Sequence, residues 1–334
     1  MHIPVLLNET IEILNPQPGE FFIDGTIGNG GHAVKIFEKI MPNGRLLGVD
    51  LDKNNLEIAR EKILTETKNQ KLKAKNLILV HGNYADLPEI LKKEKLGKAD
   101  GLILDLGFSS EQLESGKGFS FQKDELLDMR YNTRTIVDYT RTNTEKSQRE
   151  SALSPYESVS MTAAEVINTF SEKDLADIIY EYGEERYSRK IAKKIIEQRK
   201  RKLIKTTFDL VEIIKKSVPR SYERGRIHPA TRTFQALRIY VNHELENLEK
   251  LLKNLDKILK GRAVIISFHS LEDRLVKNCF KELKKEKKAE ILTKKPIRAT
   301  KEEIEQNPRS RSAKMRAILI KAPNSKHQIT NKHQ

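Results

Sequence analysis

The sequence lacks several patterns, and each absence excludes a class of protein. It contains a single cysteine, Cys279, which excludes an internal disulfide framework. No apolar run approaches the roughly 18 residues that a membrane-spanning helix needs. The first residues lack the basic segment and apolar run of a secretion signal, and no group of His and Cys has metal-ligand spacing. We therefore expect a cytoplasmic protein without a membrane segment or a bound metal.

Acidic residues are the minority among the charges. Lys and Arg number 62 against 47 Asp and Glu, which gives a formal net charge of +15. This excess favours a polyanionic partner such as nucleic acid, because each phosphate contact releases counterions. A lysine-rich, solvated surface would produce the same count, so charge alone leaves both interpretations open.

Short apolar runs alternate with helical stretches over the first hundred residues. The runs are 21–24, 46–50, 77–80 and 101–105. Strands that alternate with helices at this spacing predict a doubly wound α/β fold with a parallel sheet. Two later runs, 263–267 and 317–320, are expected to complete the sheet.

The long interval before residue 263 is mainly helical. Helical periodicity is strongest at 174–182, 184–200 and 207–217. We interpret the interval as a helical domain inserted into the α/β core. The expected division is a core at 1–110 and 225–322, an inserted domain at 111–224 with a polar, mobile loop at 132–162, and a flexible tail at 323–334.

An apolar stripe runs from Phe234 to Leu259. Its members recur in steps of three and four, which keeps them on one face of a helix. This predicts one long helix that packs against the sheet and ends at Lys260-Gly261. A coiled-coil dimer could use the same stripe, so the protein is expected to be a monomer or a homodimer.

A glycine-rich loop follows the first predicted strand: Asp24-Gly25-Thr26-Ile27-Gly28-Asn29-Gly30-Gly31-His32. Glycines allow a tight turn and a close approach of a ligand to the backbone. Asp50 ends the second strand, where a carboxylate can accept both hydroxyls of an adenosine ribose.

The loop also satisfies the G-x-G-x-x-A pattern of a nicotinamide dehydrogenase. Two features disfavour that enzyme: Asp24 would repel a pyrophosphate, and the chain lacks a second βαβαβ half. The charge of Asp24 would instead suit the amino group or sulfonium of S-adenosylmethionine. His32 is either a ligand contact or simply a residue of the first helical turn.

Many short motifs are spread along nearly the whole chain, and their order from the N-terminus to the C-terminus is itself informative. They are 2–9, 24–32, 104–110, 112–113, 118–121, 127–130, 182–186, 228–235, 266–274 and 307–312. With these segments the chain resembles the bacterial 16S ribosomal RNA cytosine-N4 methyltransferase family. The segment 132–162 departs from the family pattern and is interpreted as an insertion.

The resemblance implies S-adenosylmethionine as cofactor and 16S ribosomal RNA, within the small ribosomal subunit, as substrate. The target would be a cytosine near the decoding centre. The implied cofactor contacts are Gly30, Gly31, His32, Asp50, Tyr84, Asp105 and Gln112.

Two strand ends carry candidates for catalysis. The exocyclic amine of cytosine is a poor nucleophile, and an acceptor for its hydrogens would localise the lone pair. We expect Asp105, with a backbone carbonyl or Ser109 nearby, to orient the amine or the cofactor; the alternative is a strand-end Asp that caps the next segment. His269 is a weaker candidate for a general base, since the simpler interpretation of its segment is a helix start with Ser270 as N-cap.

Basic residues at two places are candidates for phosphate contacts, since Arg forks match phosphate geometry. They are Arg232, Arg309, Arg311, Lys314 and Arg316. Short Arg/Ser runs are also common in solvated loops. A non-enzymatic ribosome-assembly factor would share this basic surface, but it would not need the cofactor residues.

Overall fold

The computed structural model describes residues 4–67, 75–107, 115–131, 161–223 and 227–321. Ser109, Gln112, nearly all of the predicted loop 132–162 and the predicted tail lie outside the described residues. The chain divides into two compact units: Met1–Gly107 with Leu245–Gln334, and Phe108–Glu244. The boundary at Glu244, rather than at 224, assigns the helix Thr231–Asn242 to the inserted unit, because its Phe234 and Leu237 belong to that unit's apolar core.

The first unit is built on a seven-stranded sheet in the order β3-β2-β1-β4-β5-β7-β6. The strands are β1 Phe21–Asp24, β2 Arg45–Asp50, β3 Leu77–His81, β4 Ala99–Asp105, β5 Leu259–Ser267, β6 Ala289–Ile291 and β7 Lys314–Ile320. The first five strands pair in parallel, and β7 is antiparallel to both β5 and β6. The predicted doubly wound α/β fold is confirmed. The antiparallel direction of β7 and the presence of β6 were not predicted, since three residues are too few to show a period.

Side chains alternate between the two faces of the sheet, as strand geometry requires. In β1, Phe21 and Ile23 enter one core and Phe22 enters the other. The helices Leu87–Lys93, Glu244–Leu252, Leu255–Ile258 and Ser270–Lys285 supply the first core, and Leu7–Leu14, Gly31–Ile40 and Lys53–Glu66 supply the second. The helix Lys301–Gln306 precedes β7. Within the described ranges, no helix has the length and hydropathy needed to traverse a lipid bilayer.

Between residues 161 and 244, the described part of the inserted unit is mainly helical and packs around its own apolar core. The helices are Ala163–Thr169, Glu172–Glu181, Ser188–Arg199, Thr207–Ser217, Arg220–Glu223 and Thr231–Asn242. Two of them begin with a capping box, in which Thr162 pairs with Glu165 and Thr206 with Asp209. The predicted helix at 184–200 begins only at Ser188, after Glu184 takes a left-handed backbone conformation with φ 51°.

The predicted long helix from Phe234 to Leu259 is wrong. The segment forms three helices, Thr231–Asn242, Glu244–Leu252 and Leu255–Ile258, and the first break lies at His243 with φ 51°. The stripe is divided between two cores, because Phe234 packs in the inserted unit and Leu248 in the sheet unit. Lys260-Gly261, the expected helix stop, belongs to β5.

Candidate functional site

The glycine loop turns sharply between β1 and the helix Gly31–Ile40. Gly28 and Gly30 have φ values of 47° and 77°, which L side chains rarely adopt. A Cβ on Gly30 would also lie 3.3 Å from the Cα of Ala59. Gly28 therefore requires glycine for its backbone conformation, and Gly30 requires it for both conformation and packing, before any ligand is considered.

The N-terminal segment packs directly on this loop. A Cβ on Gly31 would overlap the ring of Pro4, and the amide of Leu6 donates a 2.8 Å hydrogen bond to Oε1 of Glu303. Sequence reasoning did not predict this arrangement, although the segment 2–9 was among the family motifs. Gly31, expected as a cofactor contact, is thus also fixed by Pro4.

His32 is buried in the first turn of the helix. Its Nε2 lies 3.0 Å from the carbonyl oxygen of Val5, which can only accept, so Nε2 carries the proton. Burial lowers the pKa of His32 to about 4, so the ring is neutral at pH 7. Its Nδ1, 3.9 Å from Oδ2 of Asp105, is then a hydrogen-bond acceptor within the site.

Asp50 ends β2 and holds the loop with its carboxylate. Oδ2 accepts from the Gly28 amide at 2.9 Å, and Oδ1 accepts from the Asp52 amide at 2.8 Å and from Asn55 Nδ2 at 3.1 Å. Burial raises the pKa of Asp50 despite these bonds. A carboxylate has about four acceptor positions, and three are occupied here. One ribose hydroxyl therefore has a ready acceptor, and a second requires the exchange of an existing bond.

Asp105 ends β4 beside the same loop. Its backbone amide donates a 2.7 Å hydrogen bond to Oγ1 of Thr26, so the loop and the strand end are joined directly. The Asp105 side chain is 20% exposed, and the Gly107 amide lies 3.5 Å from its Oδ1. The carboxylate is therefore anchored by its own strand end and still reaches solvent. Thr26 was not singled out from the sequence, because its role depends on a contact with a distant strand.

Asp24 is almost completely buried at the end of β1, with 2% of its surface exposed. Burial, followed by the nearby charges of Asp105 and Asp50, raises its pKa to about 8. One hydrogen bond opposes the shift, from the Thr26 amide to Oδ1 at 3.2 Å. The sequence-based prediction of a charged Asp24 thus needs a correction: at pH 7 the carboxyl of the free protein is mainly protonated, and a neighbouring cation would favour its ionised form.

We expect Asp24→Asn to flatten the pH dependence of stability. Between about pH 4 and the folded pKa of about 8, the folded state keeps a proton that the unfolded chain releases. Stability due to this group therefore falls as pH rises, by on the order of 1 kcal/mol per pH unit. In urea unfolding, the free energy of unfolding of the Asn variant should increase relative to that of the wild type as the pH rises through this window. Parallel profiles for the two proteins would contradict the buried, protonated carboxyl.

The electrostatics of the site fit a cationic ligand. Asp24, Asp50 and Asp105 lie at the carboxyl ends of adjacent parallel strands, β2-β1-β4, where ligands bind in doubly wound sheets. The charges that shift the pKa of Asp24 are themselves carboxylates, with no basic side chain of the described residues among them. A pyrophosphate would add negative charge to this group. The sulfonium and ammonium groups of S-adenosylmethionine would compensate it.

Tyr84 lies next to the loop, in the turn that follows β3. The turn Tyr84–Asp86 is fixed by Asn83, whose Oδ1 accepts from the Ala85 amide at 2.9 Å. A Cβ on Gly25 would lie 3.3 Å from the Cβ of Tyr84. The structure thus brings together six predicted cofactor residues from separate loops and strand ends: Gly30, Gly31, His32, Asp50, Tyr84 and Asp105.

The predicted N-cap Ser270 is wrong. The helix Ser270–Lys285 is capped by His269, which forms a capping box with Glu272. Nδ1 of His269 lies 3.4 Å from the Glu272 amide, and the residue is buried at 8% exposure. This capping role accounts for His269 without a general-base function.

Arg316 must be removed from the predicted phosphate contacts. It is buried in β7, and its guanidinium binds both carboxylate oxygens of Asp273, at 2.6 and 3.2 Å. Its charge and its fork are therefore already used inside the protein. Arg309 and Arg311 are exposed on the short helix Pro308–Ser312, and Lys314 is partly exposed. These three and Arg232 stay predictions.

Comparison with known proteins finds one family whose members are similar to this chain over nearly its whole length. The model of the MraW methylase family matches residues 1–153 and 156–321. A protein of Thermotoga neapolitana, "Ribosomal RNA small subunit methyltransferase H", is 43% identical over 326 residues, 96% of each chain. A protein of the same name from Koribacter versatilis is 42% identical, and the alignment covers 96% of this chain and 94% of the relative. Another from Syntrophotalea carbinolica is 41% identical, and the alignment covers 95% of this chain and 97% of the relative.

Proposed function

Since the chain belongs to the MraW methylase family, we propose that it transfers a methyl group from S-adenosylmethionine to the exocyclic N4 amine of a cytosine in 16S ribosomal RNA, near the decoding centre. The observation that carries the proposal is the group of three carboxyl groups, those of Asp24, Asp50 and Asp105, around the glycine loop. The named activity of the relatives, methylation of small-subunit ribosomal RNA, supports the substrate class. The protein acts in the cytoplasm, where the small subunit is assembled.

The residues of the loop and strand ends bind the cofactor. When bound, S-adenosylmethionine supplies an electrophilic methyl group on its sulfonium. Asp50 accepts a ribose hydroxyl, Tyr84 lies beside the adenine, and the backbone of Gly30 and Gly31 contacts the cofactor. Asp24, enclosed and protonated in the free protein, ionises to compensate the positive charge.

We expect cofactor binding at pH 7 to release a proton from Asp24. A neighbouring cation lowers the pKa of a carboxyl, and that of Asp24 starts at about 8. Calorimetric titration in two buffers of different ionisation enthalpy would measure release of up to about one proton. Asp24→Asn should abolish the buffer dependence while Glu38→Gln, an exposed carboxylate change in the same unit, should keep it. An unchanged buffer dependence in Asp24→Asn would contradict this role.

Asp105 binds and orients the amine of the substrate. Its carboxylate accepts the amino hydrogens, which localises the nitrogen lone pair and stabilises the positive charge that develops on nitrogen during transfer. Ser109, in the segment that follows β4, assists as a second acceptor. The methylated nitrogen is strongly acidic, so water takes its proton and no strong base is needed. Transfer would require the amine nitrogen at roughly 3 Å from the methyl carbon and in line with the carbon–sulfur bond that breaks.

The decisive experiment is methyl transfer from labelled S-adenosylmethionine to small ribosomal subunits from cells that lack this protein. The RNA is then digested, and the labelled nucleoside is identified. Label on N4 of cytidine is the expected result. Label on another position would overturn the proposed chemistry, and cofactor binding without any label would favour the non-enzymatic assembly factor.

A further inference from the structure

The inserted unit carries a group of cations and aromatic rings that the methyl transfer does not use. We call it the arginine–tyrosine cluster: Arg186, Tyr187, Lys190, Tyr222 and Arg232. The Arg186 guanidinium carbon lies 4.9 Å from the ring centroid of Tyr187 and 5.1 Å from that of Tyr222. Nζ of Lys190 lies 5.7 Å from the centroid of Tyr187. Two segments that are distant in sequence thus form one basic and aromatic surface.

A buried carboxylate fixes the positions of both tyrosines. Glu185 has 0% of its surface exposed, and its Oε2 accepts a 2.7 Å hydrogen bond from the Tyr222 hydroxyl. Its Oε1 accepts from the Tyr187 amide at 2.9 Å. The two rings meet edge to face, with centroids 5.1 Å apart and planes at 82°. A buried, hydrogen-bonded acid is costly to displace, so the rings form a rigid base for Arg186.

The cations of this cluster differ from other exposed cations of the same unit. Several lysines pair with carboxylates: Lys173 with Asp177, Lys194 with Glu197, Lys202 with Asp209 and Lys216 with Glu212. Among the described residues, no carboxylate forms an ion pair with Arg186, Lys190 or Arg232. Arg186 and Lys190 are exposed. Their positive charge is therefore available to a partner.

Arg232 adds a third cation next to the same rings. Its Nη1 donates a 3.1 Å hydrogen bond to the carbonyl oxygen of Glu184. Burial and Glu185 raise the pKa of Tyr222, and the charges of Arg232 and Arg186 oppose that rise. One of the five guanidinium N–H groups is thus used inside the protein. The others can bind an external oxygen. Arg232 was a candidate phosphate contact from the sequence, and the structure supplies the neighbours that were missing.

We propose that the arginine–tyrosine cluster binds a strand of RNA. Arg186, Lys190 and Arg232 bind consecutive phosphates, and a base stacks on the Arg186 guanidinium, which lies against both tyrosine rings. Guanidinium planes and aromatic rings are the usual stacking partners of unpaired bases, and an acidic peptide would not need the planar arrangement. The identity of the strand as substrate RNA rests on the proposed function, but the binding itself does not.

The test compares Arg186→Ala with the control Arg189→Ala in the full chain. Arg189 is an exposed arginine in the first turn of the helix Ser188–Arg199, and no aromatic ring of the described residues forms a cation–π contact with it. Binding of a 16S RNA fragment is measured by filter retention at several salt concentrations. Arg186→Ala should weaken binding about 10-fold and reduce the salt slope by about one, whereas Arg189→Ala should change affinity less than about twofold. Arg186→Lys, which keeps the charge but loses the planar fork, should fall between them.

The outcomes separate this proposal from the enzymatic one. Equal loss in Arg186→Ala and Arg189→Ala, or an unchanged salt slope in Arg186→Ala, would overturn the cluster as an RNA site. If the wild type binds the fragment through Arg186 but methylates no RNA in small subunits, the cluster stands and the proposed function fails. Circular dichroism and melting curves of each variant exclude unfolding as the cause, and Arg186→Lys provides the same test if the alanine variant is unstable.

Discussion

Asp105→Asn is expected to lower the turnover of methyl transfer by about 10²- to 10³-fold, the usual effect of losing one preorganised charge-stabilising group. The substitution replaces an acceptor oxygen with a donor NH₂ and removes the negative charge opposite the developing ammonium. The backbone bond from Asp105 to Oγ1 of Thr26 does not involve the side chain. The strand end and the loop should therefore keep their structure.

The measurement is single-turnover methylation of small subunits at saturating cofactor. Glu38→Gln serves as the control, because Glu38 lies on the outer side of the helix Gly31–Ile40, paired with Lys35, and should cost less than about twofold. Cofactor affinity is measured separately for Asp105→Asn by calorimetry. Intact cofactor binding with undiminished turnover would exclude Asp105 from the chemistry and leave the strand-end cap as its role.

Gly261→Ala is expected to destabilise the sheet unit by at least about 3 kcal/mol, the upper part of the range for overpacking. A Cβ at this position would overlap the carbonyl oxygen of Asp100 and lie 2.8 Å from its carbonyl carbon. The β4–β5 register shifts at this point, between Ala99 and Gly101. Backbone atoms inside a sheet cannot rotate away. The carboxylate of Asp100 also accepts from the Phe21 amide at 3.0 Å, so any shift extends to β1.

Gly97→Ala is the matched control for this substitution. Apart from its two chain neighbours, no atom of the described residues lies within 4 Å of a Cβ at Gly97, and the residue is exposed. A change within about 1 kcal/mol, in the stabilising direction if the backbone fits, is expected there. Thermal unfolding of both variants measures the difference. Similar midpoints for the two would show that β4 and β5 adjust more easily than the packing indicates.

Much of the secondary structure of both units followed from local patterns. The apolar runs at 21–24 and 46–50 are strands with almost the predicted limits, because a buried parallel strand needs a continuous apolar run and little else. The helix Thr207–Ser217 has the predicted limits, since Thr206 and Asp209 form a capping box within four residues. Apolar runs and capping boxes involve only residues that are close together in the chain, so the sequence alone is enough to predict them.

The predictions that failed depended on distant contacts. The stripe at 234–259 satisfied helical periodicity throughout, but its two halves pack in different cores and His243 breaks the helix between them. The sequence predicted Arg316 as a surface arginine, but in the structure β7 places its guanidinium against Asp273. Periodicity states which face is buried and not which neighbour buries it.

The sequence by itself determined the doubly wound core, the glycine loop with acids at the strand ends, and the family. Only the tertiary structure decided the state of those groups. Asp24 is protonated because the sheet and loop enclose it beside two other carboxylates, and Gly261 is required because the backbone of Asp100 approaches it. Arg186 lies on Tyr187 and Tyr222 because Glu185 joins two distant segments. Charge state and close contact depend on three-dimensional surroundings, whereas strand and turn formation depend mainly on neighbours along the chain.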